Sequence, residues 1–158
     1  MMNWVNTIIQ GILVGGLYAL FAAGLSLIFG VMRLVNIAHG DLIVAVAYLA
    51  WTIIYMTGIH PLLSLVLVIP LAMAFGYALQ FYILNRTLGK DILPPLLVTF
   101  GLSVILQDGL LVIFSADSRK LNANALEAAT FSPLPGVGIG YLPLLQFLVA
   151  IAVIAGLQ

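Results

Sequence analysis

The polar chemistry of this chain is concentrated in one short stretch, Arg33-Leu34-Val35-Asn36-Ile37-Ala38-His39-Gly40-Asp41, set between two long apolar runs. His39 and Asp41 are residue types that ligate metals or move protons. No third ligand lies nearby and no nucleophile is placed, so the pair does not make a metal centre or an acid–base site. What remains is an amide, an imidazole and a carboxylate around Gly40, whose missing side chain permits a tight bend or close backbone approach. Gln107 and Asp108 form a second polar pair near the far end of another apolar run. Either pair matters only if apolar elements hold it where water alone would not.

Those elements follow from composition. The chain has 158 residues, of which 64% are hydrophobic and 6% charged, with five basic and five acidic side chains. An ordinary soluble domain is about 45–50% apolar and about 25% charged. The mean hydropathy of +1.25 agrees. Apolar surface must therefore face lipid as well as protein. The formal net charge of zero offers no basic face for nucleic acid. The absence of cysteine excludes disulfides, thiol catalysis and thiolate metal sites.

Crossing the hydrocarbon layer takes about 20 apolar residues in a helix. The spacing predicts an all-α, polytopic transmembrane helical bundle in a single transmembrane domain over 1–158, with spans at about 5–29, 37–57, 62–84, 92–114 and 141–158. The first carries no charge before Arg33 and reads as a mature helix rather than a cleaved signal. Thr57-Gly58-Ile59-His60-Pro61 separates the second from the third. A loop over 115–140 precedes the fifth, which is still apolar at Gln158; a chain truncated at its C-terminus is the expectation. Lys and Arg counts place Arg33, Arg86 and Lys90 on the cytoplasmic side, and Arg119, Lys120 and the 115–140 loop outside.

A helix over Leu42–Thr57 would be too short to cross. Either it starts earlier, near Asn36, or the segment after the first span is broken or re-entrant and sits within the membrane. Both place Asn36, His39 or Asp41 at or below the interface, where a polar group needs protein or a water-filled cavity to satisfy it. The plainer alternative is a cytoplasmic turn in which Asp41 caps the next helix and Arg33 anchors the interface. Asp108 likewise reads as an interfacial carboxylate or as the outer mouth of a path. Gly11, Gly15, Ala19 and Ala23 recur every four residues and would let another helix approach closely, in this chain or another. Thr99, Gly101 and Ser103 are ordinary for a packed membrane helix.

Two strings carry a family resemblance. Gly16-Leu17-Tyr18-Ala19-Leu20 with Gly24 and Gly30, followed by Asn36-Ile37-Ala38-His39-Gly40-Asp41, resembles the permeases of branched-chain amino acid ABC importers. So does Thr99-Phe100-Gly101-Leu102-Ser103-Val104-Ile105-Leu106-Gln107, preceded by the Arg86–Lys90 turn. Order and spacing agree along essentially the whole chain.

The resemblance implies a multi-pass protein of the cell inner membrane, paired with a second permease subunit and cytoplasmic ATPases. An external solute-binding protein would deliver leucine, isoleucine, valine or a related solute. ATP would be used by the ATPases, and no cofactor is implied for this chain. Asn36, His39, Gly40, Asp41, Gln107 and Asp108 are the candidates for the translocation pathway. Members of the family are much longer, with an ATPase-docking loop beyond the point where this chain ends. Glu127-Ala128-Ala129 followed by Gly136 superficially matches that Glu-Ala-Ala loop, but lies in a Pro/Gly-rich segment that the charge bias puts outside. The rival readings are a small homo-oligomeric secondary transporter or channel, which needs no ATPase, an intramembrane enzyme, for which no nucleophile or metal set is present, and a non-functional fragment.

Overall fold

A computed structural model describes residues 2–87, 89, 91, 93–116, 130–134 and 137–157. The Arg119/Lys120 pair, Lys90, Glu127–Ala129 and Gly136 lie outside these residues. Among the described residues there are five α-helices: α1 (Met2–Met32), α2 (His39–Thr57), α3 (Pro61–Tyr82), α4 (Leu93–Phe114) and α5 (Tyr141–Gly156). The first four are long and apolar enough to cross a membrane. The predicted fifth span is a helix of 16 residues, roughly 24 Å at the α-helical rise.

Local chemistry sets the helix ends. Arg33 turns left-handed at φ 52° as α1 closes, and its N–H donates to Phe29 O at 2.8 Å. Gly58 ends α2 the same way at φ 67°, donating to Ile54 O. Ser115 does so after α4 at φ 62°, donating to Leu111 O. Such a residue satisfies carbonyls that the last turn leaves open. At the start of α3, His60 accepts from Leu62 N through Nδ1, and Pro61 takes the first position, where no N–H is needed.

The chain forms two compact units, residues 1–27 with 122–158, and residues 28–121. In the first, the segment expected to be a loop contains a two-stranded antiparallel hairpin, β1 (Thr130–Leu134) and β2 (Val137–Gly140). Strand β2 runs directly into α5. Gln10 on α1 donates through Nε2 to Gly138 O at 2.8 Å, and Gly16 on α1 lies under the Phe147 ring of α5.

In the second unit α2 packs against both α3 and α4. Leu34, Ala38, Val68 and Leu84 are buried there together with the polar Asn36, Ser64, Thr99 and Ser103. Aromatic clusters mark the two ends of α3. Tyr77, Phe81 and Tyr82 lie at its C-terminal end, and Trp51 and Tyr55 stack near the α2–α3 turn. Amphipathic rings favour the two membrane–water interfaces.

Candidate functional site

Between α1 and α2 the chain makes a non-helical elbow over 33–38. Asn36 holds its shape: its Oδ1 accepts from Ala38 N at 3.1 Å, and its own carbonyl accepts from His39 N. A short amide side chain that bonds the backbone two residues on fixes a turn in this manner. Ala38 is the N-cap of α2 and makes no side-chain cap bond. Asp41 is thus not the cap. It stands in the first turn, where a carboxylate is favoured by the helix dipole, and its side chain is free to reach another helix.

That helix is α4. Thr99, Ser103 and Gln107 recur every four residues and so share one of its faces. Thr99 is fully buried; its Oγ1 donates to Leu96 O at 3.1 Å, with Val35 O of the elbow at 3.5 Å. Ser103 Oγ donates to Asp41 Oδ2. Gln107 Nε2 donates to Asp41 Oδ1 at 3.1 Å and to Ser103 Oγ at 3.2 Å. The carboxylate is gripped by two neutral donors that also bond each other, and neither neutralises its charge. Seven residues further along both helices, about two turns, Tyr48 stacks on Phe114 with ring centroids 4.4 Å apart.

The partner on α4 fixes the level of the carboxylate along that helix. Ser103 lies about 15 Å from Leu93 at helical rise, near the middle of the 22-residue α4. Helix α2 therefore begins about halfway along α4, and Val35 lies beside its first half. The two options for the elbow combine: α2 starts at His39, earlier than Leu42, and the non-helical segment runs alongside a spanning helix.

The other candidates separate. His39 is half-buried; Gly40 is exposed, with open space where a side chain would stand. Asp108 is exposed and joins no hydrogen bond among the described residues, so Gln107 converges with Asp41 and Asp108 does not. Gly11 and Gly15 have nothing within 4 Å of where a Cβ would sit, and Gly16 is the glycine in close contact. No group of three His, Cys, Asp or Glu that could hold a metal occurs among the described residues. Thr99 and Ser103 stood in the sequence as unremarkable polar residues. The signal that marks them is their four-residue spacing with Gln107 in an apolar span.

Four helices long and apolar enough to cross a membrane, two of them joined by a hydrogen-bonded carboxylate, define a multi-pass membrane protein. Its sequence places it further: residues 7–158 match the family described as the branched-chain amino acid transport system / permease component, and the chain belongs to that family. The high-affinity branched-chain amino acid transport system permease protein BraD of Pseudomonas aeruginosa is 30% identical over 98% of this chain and 54% of its own length. The LivH permease proteins of Salmonella typhimurium and Escherichia coli K12 are each 28% identical, over 63% of this chain and 35% of their own. The chain spans about half the length of BraD. No solved structure matches it.

Proposed function

We propose that this chain forms part of the translocation pathway of an ATP-driven importer for branched-chain or related amino acids in the cell inner membrane. It would work with a second permease subunit, cytoplasmic ATPases that consume the ATP, and an external solute-binding protein. Membership of the permease family supports the substrate class and the partner set. The observation that carries the pathway role is the Asp41–Ser103–Gln107 knot. An ionised group halfway along a spanning helix is costly in lipid and is kept where it faces protein or a water-filled path.

Helix α2, starting beside the middle of α4, supplies a joint. The elbow that Asn36 braces links it to α1, and the Asp41 bonds hold it to α4. A pathway that opens and closes needs elements that move against each other at a few non-helical residues, and the elbow provides them. The chain carries no catalytic step in this reading.

The test is uptake of labelled leucine by cells lacking their own system and supplied with this chain, the second permease subunit, the ATPases and the binding protein. Replacing Asn36 and Asp41 together by Ala and Asn is expected to reduce uptake at least tenfold, with membrane insertion retained. Uptake should fail on ATP depletion and survive collapse of the ion gradients. Unchanged uptake in the double variant removes the pathway role, and gradient-driven uptake removes the importer.

A further inference from the structure

We infer that α2 carries a two-part recognition site for an aliphatic amine, in which Asp41 takes the ammonium group and an apolar cleft one turn along the helix takes the hydrocarbon. The inference rests on the proposed amino-acid pathway and names the end of the substrate that the chain reads.

The polar part is the carboxylate. Both groups that bond it are neutral donors, so its negative charge is oriented but not cancelled. It is only partly buried, and Gln107 beside it is exposed. Its position is halfway along a spanning helix, where an uncompensated charge is expensive. An ammonium group supplies the missing charge and up to three N–H donors. The unused lone pairs of Asp41 and the Gln107 carbonyl oxygen can accept them. Charge-assisted bonds of this kind are roughly twice as strong as neutral ones. A substrate carboxylate would meet the same site with like charge. The site therefore selects for the amino end.

The apolar part is a cleft of about 310 Å³ between α2 and α3, lined by Ala45, Val46 and Leu49 and by Leu71, Ala72 and Phe75. Asp41, Ala45 and Leu49 are spaced by four residues and lie along one side of α2. One turn of backbone, about 6 Å at helical rise, separates Asp41 from Ala45, a residue that lines the cleft. That is the scale of an aliphatic amino acid from its nitrogen to its terminal methyl groups. Small-molecule sites combine mostly apolar walls with a few placed polar groups, and this pairing has that form. A lipid chain would fit the cleft equally well by shape. The adjacent charge decides for an occupant with a cationic head and a short hydrocarbon body.

Binding to the purified full chain in phosphatidylcholine nanodiscs tests this with three probes: L-leucine, 3-methylbutylamine, which keeps only the ammonium, and 4-methylpentanoate, which keeps only the carboxylate. Leucine and the amine are expected to bind and the acid not to. Asp41→Asn, which keeps the shape but removes the charge and turns one accepting oxygen into a donor, should weaken both at least tenfold. Ala72→Phe, which fills the cleft, should weaken leucine by a similar factor. Asp91→Asn, on the exposed turn before α4, should change nothing, and unfolding temperatures should show that each variant is folded. Binding of the acid as tight as the amine, an unaltered Asp41→Asn, or no binding of leucine and the amine overturns the inference. So does an unaltered Ala72→Phe, which gives the cleft to lipid. The importer fails separately: uptake that ignores ATP depletion leaves this binding pattern standing, and ATP-driven uptake with unaltered Asp41→Asn binding leaves the importer standing.

Discussion

Single residues decide how closely these helices can meet, and within this chain the glycine that receives another helix is Gly16. The Gly11, Gly15, Ala19, Ala23 stripe follows the small-residue spacing of membrane helix contacts, yet Gly11 and Gly15 face open space. Gly16, one step round the helix, is buried, and a methyl group there would overlap the Phe147 ring. Spacing reveals that a face is smooth; it does not reveal which neighbour arrives, because that depends on a contact more than a hundred residues away. Gly16→Ala is therefore expected to lower stability by about 1–3 kcal/mol, the usual cost of overpacking, and Phe147→Ala in the same chain should recover part of the loss. Gly11→Ala should be neutral or slightly stabilising, as expected from helix propensity. Thermal unfolding in detergent reads all three. A second expectation concerns the left-handed helix ends. Ser115 pays for its positive φ with side-chain crowding, so Ser115→Gly should be neutral or gain up to about 1 kcal/mol, whereas Gly58→Ala should cost about 1–2 kcal/mol.

At the scale of elements, the order and kind of helices were legible, because long uncharged apolar runs leave few alternatives. The Gly-His-Pro break after α2 and the polar turn before α4 also fell where expected. The offset of α2 was less legible. Length alone showed that a helix from Leu42 was too short, and that left two ways out. Only the Asp41 contacts with Ser103 and Gln107 show that α2 begins beside the middle of α4. The hairpin over 130–140 was missed because its strands are short and its sequence is dominated by turn-forming residues, which read as loop. The α2–α4 seam has a polar end at Asp41 and an aromatic end where Tyr48 stacks on Phe114 and Trp51 meets the same ring edge-on. If that stack helps to hold the offset, Tyr48→Leu and Phe114→Leu should not be additive. A double-mutant cycle on unfolding should return a coupling of about 0.5–1.5 kcal/mol, the range for aromatic pairs. A coupling near zero would mean that the polar knot alone sets the register.

For the molecule as a whole, the deciding quantity is where its apolar surface goes. Large hydrophobic side chains stand exposed on every helix, among them Ile105 at 69% and Val112 at 82% on α4. A water-facing protein does not leave so much continuous apolar area uncovered, so these positions face lipid or other membrane helices. The face of α4 that carries Ser103 and Gln107 is the exception. This contrast at a single depth gives the sharpest test of the account. Ile105 lies two residues from Ser103 on another side of α4, and Gly40 adjoins Asp41, which Ser103 bonds. Both are close to the same level of the membrane. The chain contains no cysteine, so single cysteines at these positions can be read without background. Gly40→Cys is expected to react with a charged, membrane-impermeant thiosulfonate, because the proposed pathway beside Asp41 would hydrate the open space at Gly40 and support the thiolate. Ile105→Cys should stay unlabelled until the membrane is dissolved, because hydrocarbon excludes both reagent and thiolate. A difference of at least tenfold in labelling rate is expected. Equal rates would mean that lipid and pathway faces are not distinguished at mid-depth, and the carboxylate of Asp41 would then lack the polar surroundings that make its charge tolerable.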